Sequence, residues 1–437
     1  MVKKLTAHDA DQHIRGVAFK TGPPALVGIE LEWVVHDLAD PLRSVEPARI
    51  DLALELLSVP GAFPGGSALS REPGGQIELS SAPGPLLACL GDVAADVELL
   101  RTTLAGHGMA LAGWGLEPFL ERERVLHLPR YEAMEAHFDR GGPWGRRMMR
   151  STAGLQVNLD AGESGQDGAG RGVSGWRRRW ELAHRLGPVL VAAFANSPLW
   201  HGRPTGWRSG RQLVWARIDP SRTRPPAHSI DPRTAWADYV LDAGVLCVRR
   251  EGPGGWNAPA GLTLRGWLNG EAPGLRPPDV QDVDYHITTL FPPVRPRGWL
   301  ELRMIDAQHG DEWLAAAAAT TVLFDDPAAA ETAWTATEAL CAPGRGPLPA
   351  VALWERAARL GPSAPELNKA ALTCFLAAEK ALAAIDGADH ARQAVTTFIE
   401  RYVARGRCPA DDRLDALRGG ASFARTAPEP ALEEAWR

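Results

Sequence analysis

Apolar and polar residues alternate in four short segments: Gly28-Ile29-Glu30-Leu31-Glu32-Trp33, Gln76-Ile77-Glu78-Leu79, Leu155-Gln156-Val157-Asn158-Leu159-Asp160 and Leu300-Glu301-Leu302-Arg303-Met304. A period of two predicts strands, in which successive side chains point to opposite faces. Glu30 and Glu32 then share a face, as do Gln76 and Glu78, Gln156 and Asn158, and Glu301 and Arg303. The other face of each strand is Ile, Leu, Val, Met or Trp and can enter a core.

The rest of the chain supplies mostly helices and loops. Residues 5–19 read as a short amphipathic helix, followed by a strand over 26–35. Residues 48–58 read as a helix ended by Pro60 and Gly61. A strand over 76–81 precedes a long helix from Leu86 to about His107, where Leu90, Val93, Val97, Leu100 and Leu104 recur at helical spacing. Strands are expected over 109–117 and 152–160, a mobile Gly- and Ser-rich loop over 161–175, and a helix from Trp176 to Ala195. Residues 196–226 are dense in Gly, Pro, Arg and Trp, a composition that predicts no regular element. A helix over 232–242, a Gly/Pro loop over 252–261 and a strand over 299–305 follow. Residues 310–405 are Ala-rich and helical by pattern, with breaks at Pro327, 343–349 and 361–365. The division expected is a sheet-and-helix body over 1–309 and a helical region over 310–437 packed on it.

If the four strands share a sheet, one face carries at least four carboxylates. Like charges a few Å apart repel by roughly 1 kcal/mol in water and about 4 kcal/mol at an effective dielectric of 20. Such a face must be open to water or hold cations. One wet face is common in antiparallel sheets. A solvated face tends to mix Lys, Thr, Ser and Glu, however, and here Lys is absent and Arg303 is the only cation. That favours a metal face.

Composition narrows the classes. The chain of 437 residues has a net charge of −6, which argues against a dedicated nucleic-acid binder. Five scattered cysteines (Cys89, Cys247, Cys341, Cys374 and Cys408) with no CxxC pair fit reduced thiols in a cytoplasmic protein. No signal-peptide pattern or membrane-length apolar run is present. The chain lacks GxxxxGK[ST] and HExxH, and its GxGxxG string, Gly170 to Gly175, lies within the Gly- and Ser-rich loop and not directly after a strand as a Rossmann motif would, so ATP, if used, is held by another route. Carboxylate-held Mg²⁺ bridging to phosphates is such a route. Gly74 and Gly75 form a turn that would bring Glu72 near the face of Glu78, and Arg211 lies in a Gly/Arg/Trp loop suited to anions. Arg146, Arg147 and Arg150 form a basic cluster, and the apolar setting of His286 favours a structural role over contact with substrate.

These residues also carry a resemblance. Gly28 to Glu32, Glu72-Pro73-Gly74-Gly75-Gln76-Ile77-Glu78-Leu79-Ser80, Ser151 to Asp160, Phe194-Ala195-Asn196-Ser197-Pro198-Leu199, Gly206-Trp207-Arg208-Ser209-Gly210-Arg211 and Thr289 to Asp306 resemble, in order, the glutamate–cysteine ligase family. The resemblance is strongest to its branch in ergothioneine biosynthesis, and it covers about 26–313. It implies an α+β, glutamine-synthetase-like fold. A curved antiparallel sheet surrounded by helices would hold Mg²⁺–ATP and glutamate on its concave face. It implies ATP-dependent formation of γ-glutamylcysteine through a γ-glutamyl phosphate, with two or three Mg²⁺ ions. An acceptor amine other than cysteine stays open as the alternative. Carried over by motif, Glu30, Glu32, Glu78 and Glu301 correspond to metal ligands, and Arg211 and Arg303 to catalytic guanidinium groups. Gln156, where some relatives have a metal-ligand His, and Asn158 join the two arginines as substrate-binding residues. Arg150 stands where close relatives are expected to have a small residue. The resemblance identifies neither nucleotide-binding residues nor an oligomeric state.

Overall fold

In the computed structural model, which describes residues 4–166, 168–252, 254–341 and 348–419, the alternating segments become neighbours in one sheet. In chain order the strands are β1 (Val27–Asp37), β2 (Ala68–Arg71), β3 (Ile77–Ser80), β4 (Met109–Ala112), β5 (Gly154–Asp160), β6 (Leu199–Trp200), β7 (Arg203–Pro204), β8 (Val294–Pro296) and β9 (Trp299–Asp306). The order across the sheet is β2-β3-β1-β5-β9-β8, with β4 on the end of β1, and β6–β7 form a separate ribbon. Every pairing is antiparallel. The α+β class expected from the chain is the one observed.

The apolar face of this sheet makes the core. Ile29, Leu31, Ile77, Leu79, Leu155, Val157, Leu159, Leu300 and Leu302 are buried against helices Leu86–Gly106, Trp176–Ala193 and Trp313–Asp325. The last of these is buried on all sides, as a helix apolar all round must be. Its Ala315–Ala319 run lets the sheet approach from one side and helices Pro365–Ala383 and Asp389–Arg401 from the other. One apolar cluster thereby runs from Ala10 to Val403. A second cluster lies apart from it: Met134 and Phe138 of helix Pro129–Phe138, Trp144, Met148 and Met149 of helix Trp144–Ser151, and Leu213 and Val214 of helix Gly210–Ile218. The cleft described below is walled on one side by the polar face of the sheet and on the other by members of this second cluster.

The chain departs from expectation mainly where local composition hides a tertiary anchor. Residues 196–226 hold β6, β7, helix Gly210–Ile218 and the short helix Pro220–Thr223. Ser209 caps the longer helix by accepting the Gln212 N–H (3.1 Å), while its hydroxyl donates to Asp306 (2.9 Å). That partner is nearly a hundred residues away. Helices Pro129–Phe138, Trp144–Ser151, Leu264–Asn269 and Val280–Ile287 were likewise not anticipated, and β4 stops at Ala112 rather than 117. The break expected at Pro327 is a new helix, Pro327–Glu338, capped by Asp326. Of the break at 343–349, residues 342–347 lie outside the described residues, as do 420–437. Among the described residues no helix is long and apolar enough to cross a membrane.

Two histidines are held neutral in this fold. His286 is buried and its Nε2–H donates to the Val240 carbonyl (3.0 Å), a structural contact. Burial, then the charge of Arg222, pushes it down to about 3. His184 donates to the Trp180 carbonyl (2.9 Å), and burial pushes it down to about 4. Between pH 6.5 and 4 the folded chain therefore binds fewer protons at His184 than the unfolded chain, so this residue costs stability as pH falls. Urea unfolding of wild type and His184→Gln across that range checks the point. The difference should move in favour of the variant by up to about 1.4 kcal/mol per pH unit; a pH-independent difference would contradict it.

Candidate active site

Strand register builds the polar face in rows. Glu32 stands directly across from Glu78 on β3, a placement that brings Cβ atoms to about 4.5–5.5 Å and disfavours like charges. Glu30 lies between Ser80 and Gln156, and Glu301 between Asn158 and Arg295. Each carboxylate has donors. The Ser70 and Ser80 hydroxyls donate to Glu78 Oε1 (2.9 and 3.1 Å), the Gly154 N–H to Glu32 Oε2 (2.7 Å), and Asn158 Nδ2 to Glu30 Oε1 (2.9 Å).

A cleft of ≈ 390 Å³ opens over these rows. Glu30, Glu32 and Glu78 line it from β1 and β3, and Glu72 reaches it from the β2–β3 turn, where Gly75 adopts φ +86°. Arg130 lines it from helix Pro129–Phe138, and Arg295, Arg297 and Arg303 from β8, β9 and the hairpin joining them. The register of β5 on β9 slips between Leu155 and Val157, next to Gln156 and Arg303. Bulges of this kind re-aim side chains beside functional sites.

Burial makes the carboxylates oppose one another. Glu32 is pushed up to about 7, first by burial and then by the charge of Glu78. Glu72 is pushed up to about 8 by burial and then by Glu32 and Glu78. Glu30 is raised by burial, then by Glu301 and Glu78, with Arg303 and Asn158 pulling the other way. Glu301 behaves differently. Burial alone would raise it, but the charges of Arg295, Arg303 and Arg297 override that and hold it below the ordinary range. It accepts from Arg295 Nε (2.5 Å), Arg297 Nη1 (3.0 Å) and Arg303 Nη1 (3.4 Å), and is 1% exposed.

The expected residues thus separate into groups. Glu30, Glu32 and Glu78 face the cleft, whereas Glu301 is engaged by guanidinium groups. Gln156 joins the two sets: its Oε1 accepts from Arg303 Nη1 (2.5 Å) and its Nε2 donates to Glu32 Oε1 (3.5 Å). Arg303 keeps a buried Nε with no partner among the described residues. Arg211 is 3% exposed and does not line the cleft. Its Nη2 donates to the Arg303 carbonyl (3.0 Å) and its Nη1 lies 3.9 Å from Asp306. Arg150 donates to Glu135 (2.7 Å), away from the carboxylates. Arg130, Arg295 and Arg297 were missed. For the latter two, the alternation Val294-Arg295-Pro296-Arg297 before Gly298 was the available signal. Arg130 Nη1 donates to Thr288 Oγ1 (2.9 Å), and its guanidinium lies over the Tyr285 ring, partners that no local pattern reveals.

The donor set fits a hard divalent cation. Three partly buried, mutually repelling carboxylates (Glu32, Glu72 and Glu78) present oxygen ligands to one cleft. Among the described residues no three His, Cys, Asp or Glu side chains come close enough together to hold one ion by themselves. Mg²⁺ rarely uses such clusters and takes one or two carboxylates plus waters and phosphate oxygens.

Comparison with known proteins agrees in one direction. A family model described as glutamate-cysteine ligase family 2 (GCS2) matches residues 26–435. The chain is 39% identical over 430 residues to glutamate–cysteine ligase EgtA of Mycolicibacterium smegmatis, covering 95% of this chain and 93% of that one. It is 38% identical over 420 residues to glutamate–cysteine ligase EgtA of Mycobacterium tuberculosis, covering 94% and 90%. Among solved structures, glutamate–cysteine ligase of Francisella tularensis in complex with AMP aligns with 96% of this chain and 92% of that one, at 13% identity and a TM-score of 0.46.

Relief of buried repulsion gives a test without substrate. Glu72→Gln should raise the melting temperature of the metal-free protein by about 1–3 °C. A lower melting temperature would show that Glu72 is not under electrostatic strain.

Proposed function

The chain belongs to glutamate–cysteine ligase family 2, and we propose on that premise that its cleft activates the γ-carboxylate of glutamate with ATP and passes the acyl group to the amine of cysteine. The observation that carries this reading is the meeting of four carboxylates and four arginines in one cleft. Phosphoryl transfer asks little covalent work of a protein. It asks for positioned positive charge against a spreading negative one, and for alignment.

In the first step a γ-carboxylate oxygen of glutamate attacks the γ-phosphorus of ATP, and ADP leaves. In the second, the cysteine nitrogen attacks the acyl carbon and phosphate departs, taking with it or releasing to water the proton lost by the amine. Glu30, Glu32, Glu72 and Glu78 would hold Mg²⁺, which when bound neutralises the phosphate oxygens. Arg303, whose Nε is unpartnered, faces the transferring group, with Arg295, Arg297 and Arg130 available to the substrate carboxylate and the phosphates. Glu301 keeps Arg295, Arg297 and Arg303 gathered. Arg211 supports Arg303 from behind through its carbonyl. Gln156 and Asn158 orient Arg303, Glu32 and Glu30, and Asn158 keeps an Oδ1 with no partner among the described residues, free to meet a substrate donor. The product, γ-glutamylcysteine, would be made in the cytoplasm as the first intermediate toward ergothioneine, a reading supported by the likeness to the EgtA relatives.

Purified protein given ATP, Mg²⁺, glutamate and cysteine should release ADP and form γ-glutamylcysteine, and cysteine should outperform other amines in a substrate panel. Absence of turnover with every amine would refute the assignment. Glu78→Ala should abolish turnover while circular dichroism stays that of the wild type. Arg303→Lys should lower kcat about 10²–10³-fold, because an ammonium cannot reproduce the fork; near-normal kcat would remove Arg303 from the reacting centre.

A further inference from the structure

Arg303 stands at a break in the regularity of its own strand. Leu302 pairs with Val157 and Ile305 with Leu155, so β9 has two residues, Arg303 and Met304, where β5 has one, Gln156. Leu302 and Ile305 are three apart and both lie in the main apolar cluster, which a strand of unbroken period two would not allow. An extra residue of this kind disrupts the local ladder and bends the strand. The carbonyls of both residues in the slip accept side-chain donors from one helix. Arg211 Nη2 donates to the Arg303 carbonyl (3.0 Å), and Gln212 Nε2 donates to the carbonyl of Met304 (2.9 Å), a buried residue.

That helix, Gly210–Ile218, is pinned to the end of the same strand. Asp306 is 2% exposed and accepts from the Ser197 hydroxyl (2.6 Å), the Ser209 hydroxyl (2.9 Å) and the Asn196 N–H (2.9 Å). Ser209 is the N-cap of the helix, and the Ser197 oxygen accepts the Arg211 N–H (3.1 Å). At residue 306, β9 therefore carries the anchor for a helix start whose next side chains bind the strand at 303 and 304.

We propose that Gln212 is a positioning residue for Arg303: with Arg211 it clamps the bulge, and the clamp fixes the direction from which the Arg303 guanidinium enters the cleft. This rests on reading Arg303 as the group that faces the transferring phosphoryl. The chemistry at 212 selects a donor. Met fills the volume without donating, and Glu sets an oxygen against the Met304 carbonyl. A buried carbonyl left without a donor is costly, so the bulge is expected to shift to re-pair it. A displacement of about 1 Å at a reacting group can cost about 10²-fold in rate.

A double-mutant cycle read in steady-state kinetics tests the proposal. Wild type, Gln212→Met, Arg303→Lys and the double variant are assayed with ATP, Mg²⁺, glutamate and cysteine, and thermal melts check folding. Gln212→Met is expected to lower kcat about tenfold or more and to leave the KM values for all three substrates near those of wild type. In the Arg303→Lys background the same change should cost little more. If the two losses multiply, Gln212 does not act through Arg303 and the proposal falls while the reading of Arg303 stands. A normal kcat in Gln212→Met, or a raised KM for ATP at unchanged kcat, also overturns it, the latter by making Gln212 a nucleotide contact. If Arg303→Lys keeps a near-normal kcat, the reading of Arg303 fails and the proposal with it. Should Gln212→Met not fold, Gln212→Glu runs the same cycle, since it keeps the size of the side chain and loses the donor.

Discussion

The register of β1 against β3 puts Glu32 directly across from Glu78, and burial removes much of the water that would screen them. Two carboxylates so placed repel by about 4 kcal/mol at an effective dielectric of 20. Glu72 adds a third carboxyl group from the neighbouring turn, pushed up to about 8 by burial and by the other two. A fold would shed this arrangement unless something were gained from it, because replacing one member by a neutral isostere costs no packing. Groups perturbed in this way cluster at functional sites, and in the proposed reaction positive charge arrives with the ligand.

Much of the surrounding structure makes sense as a response to that constraint. The arginines are gathered on β8, β9 and helix Pro129–Phe138 and do not pair with Glu32, Glu72 or Glu78. Glu301 holds three of them together and is itself held ionised by them. Gln156 touches both sets, so Arg303 and Glu32 are fixed relative to one another without neutralising each other. Met134, Met148 and Met149 of the second apolar cluster also line the cleft, along with Trp215 and Phe291, and limit its water. Electrostatic contacts are worth more in such surroundings.

The acidic face was legible because a period of two survives in the sequence whatever the sheet order. The strands β1, β3, β5 and β9, and the sharing of a face by Glu30 and Glu32, needed nothing else. Register was not legible: nothing local says that Glu32 meets Glu78 or that Glu301 meets Arg295. Parity placed Gln76 correctly on the cleft side but not its partners. Gln76 is two residues from Glu78, yet its amide turns to Thr152 and Met149 and serves the backbone. Arg211 lies in a Gly- and Arg-rich stretch that suggests an anion loop, but Ser209 starts a helix there and buries the guanidinium behind Arg303. Glu72 could be placed near the face of Glu78, but its desolvation and its repulsion by Glu32 could not be read without the turn.

The central claim is that the cleft has a cation end at Glu32, Glu72 and Glu78 and an anion end at Arg295, Arg297 and Arg303. Anomalous diffraction from crystals grown with Mn²⁺ and a non-hydrolysable ATP analogue tests it most directly. The account predicts Mn²⁺ peaks within ligand distance of carboxylate oxygens of Glu32, Glu72 and Glu78, with the terminal phosphate toward Arg303. Peaks at Glu301 with its arginines displaced, or nucleotide bound without metal at the carboxylates, would contradict it.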